Sequence, residues 1–106
     1  MTQRFVRVAA TSEVPPGALR EVWVGDLCLA LCNAGGELYA IESVCTHDGG
    51  PLEAGVLEGY EVECPRHGAR FDVRSGEAVC LPAMKPVRAF PLRVRGDAIE
   101  VAIEGS

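Results

Sequence analysis

Histidine is scarce in this chain: two residues in 106, beside one tryptophan, two tyrosines and three phenylalanines. Once both imidazoles have a task, none is left for a second metal site or for acid–base work. Long apolar runs are missing as well. Nothing approaches the roughly 18 consecutive apolar residues of a membrane span. The opening Met1-Thr2-Gln3-Arg4-Phe5-Val6-Arg7 contains no extended apolar core of a secretion signal. Positive charge is in the minority, with 10 Lys and Arg against 15 Asp and Glu, a net charge of −5 and a pI of about 4.9. That balance argues against nucleic acid as a partner, because phosphate contacts need a basic surface. It fits plain solubility, and equally docking on a basic patch of another protein, since opposite fields raise encounter rates. The expectation is a soluble, cytoplasmic protein that uses no membrane.

What is present suits one small domain spanning 1–106. Hydrophobic residues make up 48% and charged residues 24%, ordinary values for a globular chain with a modest core. Twelve glycines and seven prolines break the chain into short pieces. Arg4–Val8 reads as a strand, Pro15-Pro16-Gly17 as a turn and Arg20–Val24 as a further strand. Leu27–Cys32 places Leu27, Leu29 and Leu31 on one face. Ala34-Gly35-Gly36 turns it back into Glu37–Ile41, a hairpin. Glu61–Glu63 and Ala69–Val73 are short strand candidates, with Arg74-Ser75-Gly76-Glu77 as a tight turn. The clearest hairpin is Leu92–Arg95, Gly96-Asp97, Ala98–Ile103, with Leu92 and Val94 on one face and Ile99, Val101 and Ile103 on theirs. Short strands with Gly/Pro turns argue for an all-β sandwich or barrel. Trp23 and Tyr39 read as core or half-buried residues.

Both histidines fall in one pattern: Cys45-Thr46-His47, sixteen residues, then Cys64-Pro65-Arg66-His67. Two Cys–His pairs, C-x-H and C-x₂-H, offer two thiolates and two imidazoles. Such a donor set suits an iron–sulfur cluster with one Cys₂ iron and one His₂ iron. A structural zinc site is the rival reading. Zinc fingers with two Cys and two His, however, usually run C-x₂₋₄-C then H-x₃₋₅-H, and here each half mixes the two types. Of the other three cysteines, Cys28 and Cys32 lie four apart in a strand-like run, so about 13 Å separates their Cα atoms. A disulfide needs under about 7 Å. They are expected to be small apolar residues in a reduced interior, and core packing is the default for Cys80.

The context of the two motifs resembles the Rieske family of [2Fe–2S] proteins, and the small soluble Rieske ferredoxins in particular. Cys45-Thr46-His47-Asp48-Gly49-Gly50-Pro51-Leu52, Cys64-Pro65-Arg66-His67-Gly68-Ala69-Arg70-Phe71-Asp72, Ser75-Gly76-Glu77 and Leu81-Pro82 carry the likeness. The resemblance implies that Cys45 and Cys64 bind one iron of a single [2Fe–2S] cluster through sulfur, while His47 and His67 bind the other through nitrogen. It implies a β base, about 1–42 and 83–106, with an inserted cluster-binding subdomain, about 43–82. Loops at 45–51 and 64–70 would each bring one Cys and one His to the tip. A third loop, around Pro82 to Pro86, would pack beside them. Glycines 49, 50 and 68 would let backbone approach the sulfides.

The resemblance also bears on the potential. High-potential members carry an extra cysteine in each loop, and these form a bridging disulfide; Gly50 and Arg66 hold the matching positions here. Such members place serine and tyrosine hydroxyls near the sulfurs, where this chain has Ala69 and Phe71. Hydroxyl donors favour the reduced, more negative cluster. The expectation is a potential near about −150 mV rather than +300 mV, with Ala69→Ser and Phe71→Tyr each raising it. Asp48, Arg66 and Arg70 are either solvated loop charges or part of a docking surface.

By resemblance the chain is an electron carrier, not an enzyme. It would take one electron from a flavin-containing reductase and pass it to a multicomponent oxygenase, with no small-molecule substrate of its own. A catalytic oxygenase would need a further mononuclear iron site, for which no histidine is left. The alternatives are an accessory protein of iron–sulfur assembly or redox sensing, and the small subunit of a nitrite reductase-type complex.

Overall fold

The computed structural model describes residues 3–43, 56–63, 70–80 and 86–104. These fold into three antiparallel sheets. β1 (Gln3–Ala10) pairs with β11 (Ala98–Glu104), which pairs with β10 (Leu92–Arg95). β2 (Leu19–Val24), β3 (Leu27–Ala34), β4 (Glu37–Glu42) and the two-residue β9 (Ala89–Phe90) form the second sheet in that order. β5 (Val56–Glu58), β6 (Glu61–Glu63), β7 (Arg70–Asp72) and β8 (Ala78–Cys80) form the third. One 3₁₀ turn, Thr11–Glu13, joins β1 to the segment before β2. The all-β expectation from the turn-punctuated sequence is what the chain adopts.

The second sheet is the middle layer. Its Val22, Leu29, Leu31, Ala40 and Phe90 pack with Ala9, Ile99 and Val101 from the first sheet. From the opposite face, Ala30, Cys32, Ala34 and Ile41 meet Val62, Phe71, Val73 and Val87. β3 is therefore buried on both sides, which is why Leu27–Ala34 is a nearly unbroken apolar run instead of an alternating one. The two faces differ in size. Leucines fill the first interface. Alanine and cysteine line the second, leaving room for the Phe71 ring, which is fully buried. Burying that side chain is worth about 1.5–3 kcal/mol.

Turn chemistry fixes the registers. Gly35 and Gly36 take φ of +65° and +101°, closing a two-residue hairpin in which Ala34 pairs with Glu37. The hairpin turn expected at Gly96-Asp97 joins β10 to β11, pairing Leu92 with Val101 and Val94 with Ile99. A bulge at Val8 shifts the β1–β11 register between Arg7 and Ala9. Asn33, buried in the middle layer, donates from Nδ2 to the Val14 carbonyl at 2.8 Å and accepts from the Gly36 N–H at 2.7 Å. It ties the segment before β2 to the β3–β4 turn.

One residue departs from expectation. Trp23, read as core or half-buried, is 62% exposed. Its register partner Cys28 shares its face with Ala30 and Cys32, but the covering sheet does not reach this end of edge strand β2. Tyr39 is half-buried and meets Tyr60 edge-to-face, with ring centroids 6.1 Å apart.

Candidate metal centre

The four sequence-designated ligands, Cys45, His47, Cys64 and His67, lie outside the described residues, as do Asp48, Gly49, Gly50, Arg66, Gly68 and Ala69. The described residues form the frame from which those segments spring. The first motif follows β4. There Ser43 N–H donates to the Cys28 carbonyl at 2.9 Å, holding the chain on the middle sheet two residues before Cys45. The second motif lies between β6 and β7, whose final pair is Glu63 with Arg70. Cys64 is the next residue after Glu63, and His67 stands three before Arg70. Between these strands Val62 pairs with Phe71, and both are fully buried. This short hairpin is anchored to the middle sheet by its apolar face.

The segment 81–85 lies between β8 and a second fastening. Val87 N–H donates to the Gly76 carbonyl at 2.8 Å, and Gly76 N–H donates to the Asp72 carbonyl at 2.7 Å. Gly76 has φ +81°, and a Cβ there would fall on the Val87 carbonyl oxygen. Only glycine allows the backbones of the β7–β8 turn and of 86–88 to approach so closely.

Charge is concentrated on the outer face of the third sheet. The Arg70 guanidinium reaches Glu58 at 3.2 Å, Glu61 at 3.4 Å and Glu63 at 3.5 Å. The hydrogen bond to Glu61 first, then the field of Glu63, holds its pKa above the ordinary arginine value. Arg70 is thus the centre of an ion-pair network rather than a solvated loop charge. One turn away, Arg74 holds Asp72 through its side chain at 2.9 and 3.1 Å and its backbone N–H at 2.8 Å. That side-chain bond leads the causes that push the Asp72 carboxyl below its usual range.

The donor set fits a [2Fe–2S] cluster on several grounds. Burial pushes the Cys32 thiol up to about 12, so it stays protonated in the core, where it packs as a small apolar residue. Cys28, on the same strand as Cys32, is half-buried. Cys80 begins no described cluster, its side chain lying outside the described set. Among the described residues no group of His, Cys, Asp or Glu could hold a metal ion. Ser43 adds a positive observation, since it is 7% exposed and its hydroxyl has no hydrogen-bond partner among the described residues. A buried hydroxyl left unpaired costs about 1–3 kcal/mol. No pattern in the sequence marks this serine; its place just past β4 and two residues ahead of Cys45 is the signal.

The Rieske [2Fe-2S] domain family model matches residues 4–91. This chain belongs to that family. The naphthalene 1,2-dioxygenase system ferredoxin component of Pseudomonas aeruginosa is 37% identical over 101 residues, 95% of this chain and 97% of the relative. The ferredoxin of carbazole 1,9a-dioxygenase from Nocardioides aromaticivorans IC177 superposes with a TM-score of 0.89 at 37% identity, covering 94% of this chain and 98% of that one. A chain from the complex of reduced oxygenase and oxidized ferredoxin in carbazole 1,9a-dioxygenase gives 0.86 at 36% identity, over 92% of both chains. The Rieske protein described here is an electron carrier of the ferredoxin kind that binds a [2Fe–2S] cluster and works with protein redox partners. No helix among its described residues is long and apolar enough to cross a membrane.

Proposed function

We propose that this chain is the ferredoxin component of a ring-hydroxylating oxygenase system, working in the cytoplasm between a flavin-containing reductase and the oxygenase. In this reading Cys45 and Cys64 hold one iron and His47 and His67 the other. The cluster, when bound, stores and releases one electron at a time. The observation that carries the reading is the pairing of motif with frame. Each Cys–His pair follows immediately or nearly so on a strand end tied into the sheets, Ser43 for the first and Glu63 for the second. Relatives that match nearly end to end carry ferredoxin names. Residues 43–82 are then the cluster-binding subdomain, with β5–β8 as its sheet, mounted on a base formed by 1–42 and 83–106.

This chain's residues do three things in that function. The thiols of Cys45 and Cys64 give up their protons to become ligands. The imidazoles of His47 and His67 would bind as neutral donors, and because they bring no negative charge they would favour reduction at the position they hold. Val62 and Phe71 pin the hairpin that carries the second pair to the middle sheet.

The test is anaerobic purification followed by reduction. The expected result is an electron paramagnetic resonance spectrum of mixed nitrogen and sulfur ligation, lost in His47→Cys and His67→Cys. Reduced protein mixed with a ring-hydroxylating oxygenase should pass on one electron per cluster. A colourless zinc-loaded protein, or a spectrum of four-thiolate ligation, refutes the reading.

A further inference from the structure

Ser43 is the buried polar side chain that the described fold leaves unpartnered. Asn33, the other buried polar residue among those described, has both ends of its amide bonded. The Ser43 backbone is held by its hydrogen bond to the Cys28 carbonyl, which continues the β3–β4 ladder by one residue and fixes the face its side chain takes. Extending the Leu29–Glu42 pairing by one residue sets Ser43 opposite Cys28. Residues opposite one another share a face, and so do residues two apart on a strand. Ser43 is therefore on the face that carries Ala30, Cys32 and Ile41. That face packs against Val62 and Phe71, the strands on either side of segment 64–69. The opposite face packs on the first sheet, against Ala9, Ile99 and Val101. One residue, Val44, separates Ser43 from Cys45, so covalent reach alone keeps their Cα atoms within about 7 Å.

We infer that the Ser43 hydroxyl is reserved for the cluster, donating a hydrogen bond to a sulfur on its Cys45 side. The inference rests on the ligand assignment proposed above. A donor aimed at sulfur is worth more when the cluster carries the extra electron, because the acceptor is then more negative. Ser43 thus raises the midpoint of a centre whose positions 69 and 71 carry no hydroxyl. It acts as a positioning and tuning residue at the foot of the cluster-binding subdomain, where the chain leaves β4 ahead of the first motif.

The experiment is redox titration of cluster-loaded wild type, Ser43→Ala and Ser43→Thr. Loss of the hydroxyl should lower the equilibrium constant for reduction about tenfold, a downward shift of about 59 mV for one electron. The threonine variant keeps the donor and should stay near wild type. An exchangeable-proton coupling in the reduced wild-type spectrum should vanish in Ser43→Ala and persist in Ser43→Thr. If the alanine variant fails to keep its cluster, Ser43→Thr and Ser43→Val give the same comparison, alike in shape and different in the hydroxyl. Equal midpoints with and without the hydroxyl, in proteins that all show mixed nitrogen and sulfur ligation, overturn the inference and leave the function standing. Absence of that ligation in the wild type overturns both.

Discussion

Replacing Gly76 by alanine tests how the backbone at 86–88 is held against the β7–β8 turn. Two costs are separable. The first is conformational: at φ +81° a Cβ is strained, by about 1–2 kcal/mol for a residue in the left-handed region. The second is steric. The new Cβ would overlap the Val87 carbonyl oxygen and lie 3.0 Å from its carbon, so backbone, not a flexible side chain, must move. Moving it threatens two hydrogen bonds, Val87 N–H to Gly76 and Gly76 N–H to Asp72, each worth about 1 kcal/mol net. The sum is about 3–4 kcal/mol, a large share of the roughly 5–15 kcal/mol that holds a small domain together. Gly35→Ala is the control: its φ is +65°, no atom lies within 4 Å of the added carbon, and the cost should stop at about 1–2 kcal/mol. Urea unfolding followed by circular dichroism measures both, with the visible spectrum reporting on the cluster. Gly76→Ala should unfold well before Gly35→Ala and bleach faster under air. Equal losses in the two variants would refute the argument that close backbone approach, rather than φ alone, demands glycine at 76.

Arg70→Gln removes one cation from among Glu58, Glu61 and Glu63, each at least a third exposed; stability should fall only slightly, and less at high salt, while redox titration shows a lower midpoint because the remaining carboxylates oppose an added electron. Asp72 has a folded-state pKa below its unfolded value, so its contribution to stability is complete above the unfolded carboxylate pKa and fades as pH falls through the folded one. Melting curves between neutral and strongly acid pH should therefore show a larger acid loss for wild type than for Asp72→Asn, and parallel curves would contradict the Arg74 pairing. Phe71→Tyr sets a hydroxyl into a fully buried ring site; the midpoint should rise, and stability should drop by about 1–3 kcal/mol as the core accommodates the oxygen. An unchanged midpoint in that variant would show that the hydroxyl does not reach the centre.

Strands that announce themselves locally were legible in the sequence. Gly35-Gly36 and Gly96-Asp97 demand tight turns, and the flanking residues alternate or run apolar, so β3–β4 and β10–β11 follow from neighbouring residues alone. The pieces that were not legible are short or paired far away. β5, β8 and β9 have three, three and two residues, too few for any periodicity. β9 exists because it completes the edge of β4, and although Arg4–Val8 reads as a strand, its partner β11, nearly the whole chain away, does not follow from local pattern. Trp23 misled for a related reason: strand alternation tells which face a side chain takes, not how far the covering layer extends. At the centre, Cys45, His47, Cys64 and His67 stand out because thiolates and imidazoles at set spacing have little other use. Ser43, Gly76 and the Arg70 network do not, since their roles arise from strand ends and backbone approach that no local pattern encodes.

The described frame explains how so small a chain can present a redox centre. Each of the three segments tied to it, 44–55, 64–69 and 81–85, has a fastened residue on at least one flank: Ser43 on Cys28, Glu63 on Arg70, Val87 on Gly76. A site set on paired strands keeps its ligands better placed than one set on free loops. The middle sheet supplies the stiffness, because β3 is packed on both faces and a close-packed layer has little room to yield. Its two faces divide the labour. The leucine face binds the first sheet, while the small-residue face lets Phe71 come close and draws the β6–β7 hairpin down onto it. Enlarging that second face, as in Ala30→Leu, should therefore lift the hairpin before it disturbs the base: cluster retention would fail at a urea concentration where the β-sheet circular dichroism signal still stands. Simultaneous loss of both signals would show that the two layers unfold as one unit.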